Sequence, residues 1–204
     1  MTIAIIDTGC SNLFSVQAAL DRIGAAHLTA RTPGEASNAE RLILPGVGAA
    51  GPAMTWLRGS RWVEALTHET RPLLGICLGM QLLHERSDEG GVDTLGLIPG
   101  RVRRLPRPDG GVWPNMGWCR ISTRRSSPLM TGIGEGAYAY FVHGFAAQAG
   151  EDTIAVSEAG IEFSAIVQKG SIFGCQFHPE RSAETGSRIL RNFIELSDAS
   201  LSSN

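Results

Sequence analysis

One stretch constrains this chain more than any other: Pro72-Leu73-Leu74-Gly75-Ile76-Cys77-Leu78-Gly79-Met80-Gln81-Leu82-Leu83. Its apolar run over 73–76 is short and unbroken, the pattern of a strand buried on both faces. Helix formers follow at once, so the backbone must reverse at Cys77. Gly-x-Cys-x-Gly at a strand-to-helix junction is the thiol form of a nucleophile elbow, whose strained turn lifts the reactive atom above the sheet. Gly75 and Gly79 leave room where a side chain would crowd the neighbouring strands. The Leu78 amide, next after the thiol, can then help hold a developing oxyanion. A cysteine in an apolar strand is ordinarily core packing. Here the flanking glycines and the turn argue for chemistry, and a later motif supplies its other half.

That motif is Ile172-Phe173-Gly174-Cys175-Gln176-Phe177-His178-Pro179-Glu180, which reads as a strand ending in His-Pro-Glu. In extended chain, side chains two apart share a face, which would set His178 and Glu180 on one side. Pro179 fixes its own φ and disfavours helix for His178. A thiol nucleophile needs a base, and the base needs an acceptor on its other ring nitrogen. Cys77, His178 and Glu180 supply those parts in chain order and form the expected catalytic triad.

Periodicity orders the rest. Residues 2–7 read as a strand, Thr8-Gly9-Cys10-Ser11 as a turn, and Leu13, Val16, Leu20 and Ile23 as a helix ending at Gly24. Only Gly9 of a G-x-G-x-x-G pattern is present, so no nucleotide site is expected there. Residues 41–44 form a second strand, followed by the Pro45-Gly46-Val47-Gly48 turn and a helix over 52–67; the elbow strand comes third. Strand-like pieces over 96–121 are interrupted by Pro99, Pro106, Pro108 and Pro114, and strands follow over 138–145, 153–157, 163–168 and 171–177. Ser182 is placed to cap a last helix with an apolar stripe of Ile189, Leu190, Phe193 and Ile194. The polar tail after Leu196 is expected to fray. The expected fold is α/β: a single domain over 1–204, with a mostly parallel central sheet, helices on both faces and an antiparallel extension.

Composition excludes several functions. Eighteen Lys and Arg against twenty Asp and Glu leave a net charge of −2, giving no electrostatic case for nucleic acid. Arg101, Arg103 and Arg104 read as a solvated strand face. No apolar run reaches membrane-spanning length, and no signal-peptide pattern opens the chain. Cysteines at 10, 77, 119 and 175 lack CxxC spacing, so neither a disulfide framework nor zinc is expected, and the chain reads as cytoplasmic. His27, His68 and His84 share no ligand spacing and are expected at the surface. The four tryptophans, 56, 62, 113 and 118, read as core or interface packing, with Trp118 a candidate partner contact. Neither a metal nor a cofactor is expected.

Gly75-Ile76-Cys77-Leu78-Gly79-Met80-Gln81 together with His178-Pro179-Glu180 resembles the class I (triad-type) glutamine amidotransferases, whose fold is flavodoxin-like. Within that family, Leu44-Pro45-Gly46-Val47-Gly48, Pro114-Asn115-Met116-Gly117-Trp118 and Tyr140-Phe141-Val142-His143 are similar to the glutaminase subunit of imidazole glycerol phosphate synthase. Ile5-Ile6-Asp7, Asn12-Leu13 and Ser15-Val16 fit as well, so the likeness spans residues 2–196. It implies that Cys77 attacks the side-chain amide of glutamine and that ammonia passes to a partner, a β/α-barrel cyclase of the HisF family, in a one-to-one pair. It also implies an oxyanion hole from Leu78 and Val47, and glutamine contacts at Gly46, Gly48, Gln81, His143, Gly144 and Phe145. Asn12 and Arg181 are candidate partner-facing residues. The chain departs from the family at His143-Gly144-Phe145, where His-Ser-Tyr is common, and at Asn115, where histidine is frequent. Other readings stay open at this point: a glutaminase of another amination pathway, a silent glutamine-binding module, and an independent thiol hydrolase.

Overall fold

The computed structural model describes residues 1–9, 12–107 and 113–197. Cys10, Ser11, Pro108 and the tail from 198 onward lie outside the described residues. In chain order the elements are β1 (Ile3–Ile6), α1 (Leu13–Arg22), β2 (His27–Ala30), β3 (Arg41–Gly46), α2 (Ala50–Gly59), α3 (Trp62–Thr67), β4 (Leu73–Cys77) and α4 (Leu78–Leu83). Then come β5 (Arg86–Ser87), β6 (Val92–Asp93), β7 (Arg101–Arg104), β8 (Asn115–Arg120), β9 (Ser122–Thr123), β10 (Tyr138–His143) and β11 (Phe145–Ala147). The chain closes with β12 (Thr153–Glu158), β13 (Glu162–Lys169), β14 (Ile172–Cys175) and α5 (Ala183–Ile194).

Alternate residues of the central strands feed two different cores, as period-two geometry requires of a sheet covered on both faces. Ile3, Ile5, Ile43, Leu74, Ile76 and Phe173 pack on one side with Leu20 of α1 and Leu190 and Phe193 of α5. Ala4, Ile6, Leu42, Leu44 and Leu73 pack on the other with Met54 and Leu57 of α2, Trp62 of α3 and Leu82 of α4. The central sheet runs β2-β1-β3-β4-β14-β13-β12-β9. Its pairings are parallel from β2 to β14 and antiparallel beyond. A ribbon of β10 with β8 and a smaller sheet of β11-β7-β5-β6 complete the fold. Among the described residues no helix is long and apolar enough to cross a membrane.

This is the expected α/β class with its antiparallel extension, but several details differ. β2 was not foreseen: His27-Leu28-Thr29-Ala30 is an edge strand with partly buried residues, so its pattern is weak, and it exists through pairing with β1. The single helix expected over 52–67 is two, because Arg61 takes φ 66° and the Ser60 hydroxyl donates back to the Trp56 carbonyl at 2.9 Å, closing α2. The strand expected over 138–145 breaks at Gly144 into β10 and β11, which belong to different sheets. Ser182 stands at the N-terminus of α5 without capping it through its side chain. Its hydroxyl instead donates to the His178 carbonyl at 2.7 Å and accepts from the Tyr140 amide at 2.9 Å.

Topology places the two motifs together. β14 lies parallel to β4, with Cys175 opposite Ile76 and Gly174 opposite Gly75. The residues just beyond both strands therefore emerge at one sheet edge, beside the end of β3, where Gly46 pairs with Cys77. Ligands of open α/β sheets bind off these carboxyl ends.

Candidate active site

Cys77 ends β4 with φ 53° and ψ −110°, a backbone conformation that L-residues with a side chain rarely adopt. Packing over-determines that turn. A Cβ at Gly75 would sit 2.7 Å from the Met80 amide nitrogen, and one at Gly79 only 1.7 Å from the Leu44 carbonyl oxygen. The elbow anticipated from the glycine spacing is therefore present, and Cys77 as a residue is 6% exposed. Cys77 Sγ lies 3.9 Å from the Val142 carbonyl oxygen, and Gln176 Nε2 approaches it to 3.8 Å.

His178 reaches the same place from β14. Its amide donates to the Tyr140 carbonyl at 3.0 Å, and Ser182 holds its carbonyl, so both main-chain groups are anchored. The expected extended His-Pro-Glu does not occur: Pro179–Arg181 is a short 3-10 turn, which proline opens readily because its φ suits the turn and it has no N–H to satisfy. That turn, rather than strand alternation, brings Glu180 under the ring. His178 Nδ1 donates to Glu180 Oε1 at 2.8 Å, with both side chains almost fully buried. Nε2 is thereby left facing the thiol side with no well-formed hydrogen bond of its own, a spacing common in unliganded sites. Burial pulls the imidazole down, yet the nearby Cys77 sulfur and the hydrogen bond and charge of Glu180 outweigh it and hold His178 at about 10.

A cavity of about 330 Å³ opens over the thiol, lined by Val47, Gly48, Cys77, Leu78, Gln81, Glu89, Val142, His143, Gly144, Phe145 and His178. Most residues singled out from the sequence thus share one wall. Glu180 stands behind His178. Gly46 is not in the wall; a Cβ there would meet Leu78 Cβ at 2.9 Å, so its role is close packing of β3 on α4. Gln81 is buried in the wall, with Nε2 donating to the Phe145 carbonyl at 2.8 Å and to Gln176 Oε1 at 3.1 Å. His143 is driven down to about 4, by burial first and by the charge of His178 second, against the opposing bond to Phe145. The neutral ring donates from Nδ1 to the Phe145 carbonyl at 2.8 Å and accepts at Nε2 from Asn115 Nδ2 at 3.1 Å. Both ring nitrogens are occupied, so His143 meets a ligand only through its main chain and ring face.

The class-I glutamine amidotransferase family matches residues 4–196. This chain belongs to that family. Imidazole glycerol phosphate synthase subunit HisH of Xanthomonas axonopodis pv. citri (strain 306) is 52% identical over 195 residues, 96% of this chain and 98% of its own length. The subunit of the same name from Xylella fastidiosa (strain Temecula1) is 51% identical over 198 residues, covering 97% and 98%. The solved structure of PurLQS from Thermotoga maritima matches with a TM-score of 0.71 over 95% of this chain and 97% of that one, at 19% identity, a likeness of fold alone.

Three wall or network residues were missed from the sequence: Glu89, Val142 and Gln176. Glu89 sits in an acidic, glycine-rich turn that reads as solvated, yet Oε2 accepts from the Ala50 amide at 3.0 Å and burial raises its carboxyl. Gln176 had a readable signal, being a polar residue inside the otherwise apolar run before His178. The family departure at Gly144 has a steric reason, since a Cβ there would sit 2.6 Å from the Trp113 ring. His84, expected at the surface, is 3% exposed, with Nδ1 at 3.2 Å from the Pro99 carbonyl oxygen. Among the described residues no group of three or more His, Cys, Asp or Glu could hold a metal.

Proposed function

We propose that this chain acts as the glutaminase subunit of an imidazole glycerol phosphate synthase, using Cys77, His178 and Glu180 as its triad. One observation carries the reading: a thiol on a strained turn faces a cavity of about 330 Å³ beside an imidazole whose far nitrogen is held by a buried carboxylate. Cys77 Sγ, its proton already passed to His178 Nε2, attacks the amide carbon of glutamine. The oxyanion is held by the Leu78 amide and by an amide of the Val47 turn. Collapse of the adduct expels ammonia, which leaves with the proton from His178. Water, deprotonated by His178, then attacks the thioester and releases glutamate, restoring the thiol. Glu180 keeps the ring in the tautomer that leaves Nε2 toward sulfur.

The amino-acid end of the substrate falls to the rest of the wall. Both Gln81 amide hydrogens are engaged, so its carbonyl oxygen is the atom left to accept from the ligand. Glu89 supplies a carboxylate for the α-ammonium group, and Gly48, Gly144 and Phe145 supply main chain. We read residues 1–204 as one amidotransferase domain that works in the cytoplasm, where Cys77, Cys119 and Cys175 stay as free thiols.

Ammonia released in open water would be protonated and lost, so the reading requires a partner docked against the site. We assign that role to a β/α-barrel cyclase, paired one to one, which uses the ammonia to form imidazole glycerol phosphate and aminoimidazole carboxamide ribotide. The docking face we propose is the β8–β10 ribbon, where Met116, Trp118 and Tyr138 are more than half exposed and Arg181 lies over the Tyr140 ring at 5.1 Å. The test is glutamate release from glutamine, with and without the barrel subunit and its nucleotide ligand. Cys77→Ala is expected to abolish glutamine-dependent synthesis while added ammonium still supports it. Glutamine-dependent turnover surviving Cys77→Ala would overturn the assignment.

A further inference from the structure

Gln176 is fully buried, one residue past β14, in a run of Phe173, Cys175 and Phe177 that is otherwise core. A primary amide in such a place needs partners, because an unpaired one costs more than an apolar residue of the same shape. Its partners form a directed chain. The Phe145 carbonyl can only accept, so the atom of Gln81 facing it at 2.8 Å must be the amide nitrogen. That same nitrogen faces Gln176 at 3.1 Å, so Gln176 must present its carbonyl oxygen there. Its own NH2 is consequently turned toward Cys77 Sγ, at 3.8 Å. A backbone carbonyl on the cavity wall thus dictates, through two side-chain amides, which end of Gln176 meets the nucleophile.

We infer that Gln176 donates an N–H to the Cys77 sulfur, favouring its anionic form and holding it in line with His178, and that Gln81 enforces this orientation. The inference rests on the proposed glutaminase reading and adds to it a link between the wall that meets glutamine and the atom that attacks it. Gln81 has a hand in both, since the nitrogen that locks Gln176 leaves its carbonyl oxygen for the ligand. The donor side of the thiol faces the Val142 carbonyl, which lies 3.9 Å away and accepts its S–H. Other titratable groups around the thiol are His178, His143 and Glu89 in the wall, with Glu180 behind His178 and Cys175 on β14. None of them lies between Gln176 and the sulfur in this network, so replacing Gln176 perturbs a separate contact.

The test is alkylation of the full chain by iodoacetamide across a pH series, with the Cys77 peptide followed by mass spectrometry so that the other thiols do not interfere. Gln176→Met keeps the volume and removes the donor. Losing a hydrogen bond to a charged group should slow Cys77 alkylation near neutral pH by about 10-fold and move the profile midpoint upward. Gln81→Met touches no sulfur, yet it frees Gln176 to turn over, so a smaller slowing in the same direction is expected. In the double variant the Gln81 effect should vanish, because both act through one amide. Identical profiles for Gln176→Met and the unaltered chain would overturn the inference, as would additive effects in the double variant. If Gln176→Met fails to unfold cooperatively in urea, the Gln81→Met profile decides alone, and no shift there counts against the inference. Glutamate release by the unaltered complex is measured in parallel. Its absence overturns the glutaminase reading, whereas an active complex with unshifted profiles overturns only the role of Gln176.

Discussion

Gly79→Ala probes the elbow most directly, since the perturbation is one methyl group with a defined collision. The added carbon would lie 1.7 Å from the Leu44 carbonyl oxygen and 2.8 Å from its carbonyl carbon. Both are main-chain atoms of β3, so no rotamer change relieves the contact. The first turn of α4 must lift off β3 by roughly 1.5–2 Å to reach ordinary separation. Overpacking costs about 1–3 kcal/mol where side chains can yield; where only paired backbone can, a loss of about 3 kcal/mol or more is expected. That is a large share of a typical stability of about 5–15 kcal/mol. The same lift carries Cys77 with it, and a displacement of about 1 Å at a reacting atom costs on the order of 100-fold in rate. Urea unfolding and glutamate release by the complex measure the two losses. Gly59→Ala is the control: it ends α2, has nothing within 4 Å of the new carbon, and lacks a left-handed φ. It should be neutral or stabilising by about 0.5–1 kcal/mol. A Gly79→Ala protein within about 1 kcal/mol of the unaltered chain would refute the argument that packing enforces the turn.

Stability should depend on pH in two separate windows. His143 is held near 4 against an ordinary 6.5, so its contribution is present above 6.5 and lost as pH falls toward 4, a change on the order of 3 kcal/mol. His178, held at about 10, contributes below 6.5 and loses that contribution as pH rises through 10. Urea midpoints across pH check both, and a flat acid limb would contradict a buried neutral His143. Glu89→Gln keeps an acceptor for the Ala50 amide but removes the charge; the KM for glutamine should rise about 10- to 100-fold with a smaller change in kcat. An unchanged KM means that Glu89 does not meet the substrate. Trp118→Ala, at an exposed site, should weaken association with the barrel subunit by about 2 kcal/mol in calorimetry and leave the melting temperature of the isolated chain within about 2 °C. Unaltered affinity would place the docking face elsewhere.

Local chemistry was readable wherever it depends on neighbours in the chain. The elbow follows from the glycines at 75 and 79 because the turn and its clearance are local demands, and the apolar runs at 3–6 and 73–76 announce a sheet buried on both faces. Edge strand β2 was not legible, because its four residues gain their structure from β1 rather than from their own pattern. The Ser60 break in the 52–67 helix depends on one hydroxyl and one left-handed residue, which periodicity does not register. Gln176 was legible in principle, as a polar residue inside an apolar run, but its direction depends on Phe145 and Gln81.

From residue order alone come the residues proposed as nucleophile, base and acid, and the class of fold that carries them, since each is read from residue type and short spacing. Only the folded chain decides that His178 meets Glu180 through a 3-10 turn and that Gly46 packs while Glu89 enters the cavity. It alone decides that both nitrogens of His143 are already taken. Those outcomes depend on which strands lie side by side, and β14 reaches β4 only because pairing and burial of their side chains outweigh the entropy of closing the long chain between them.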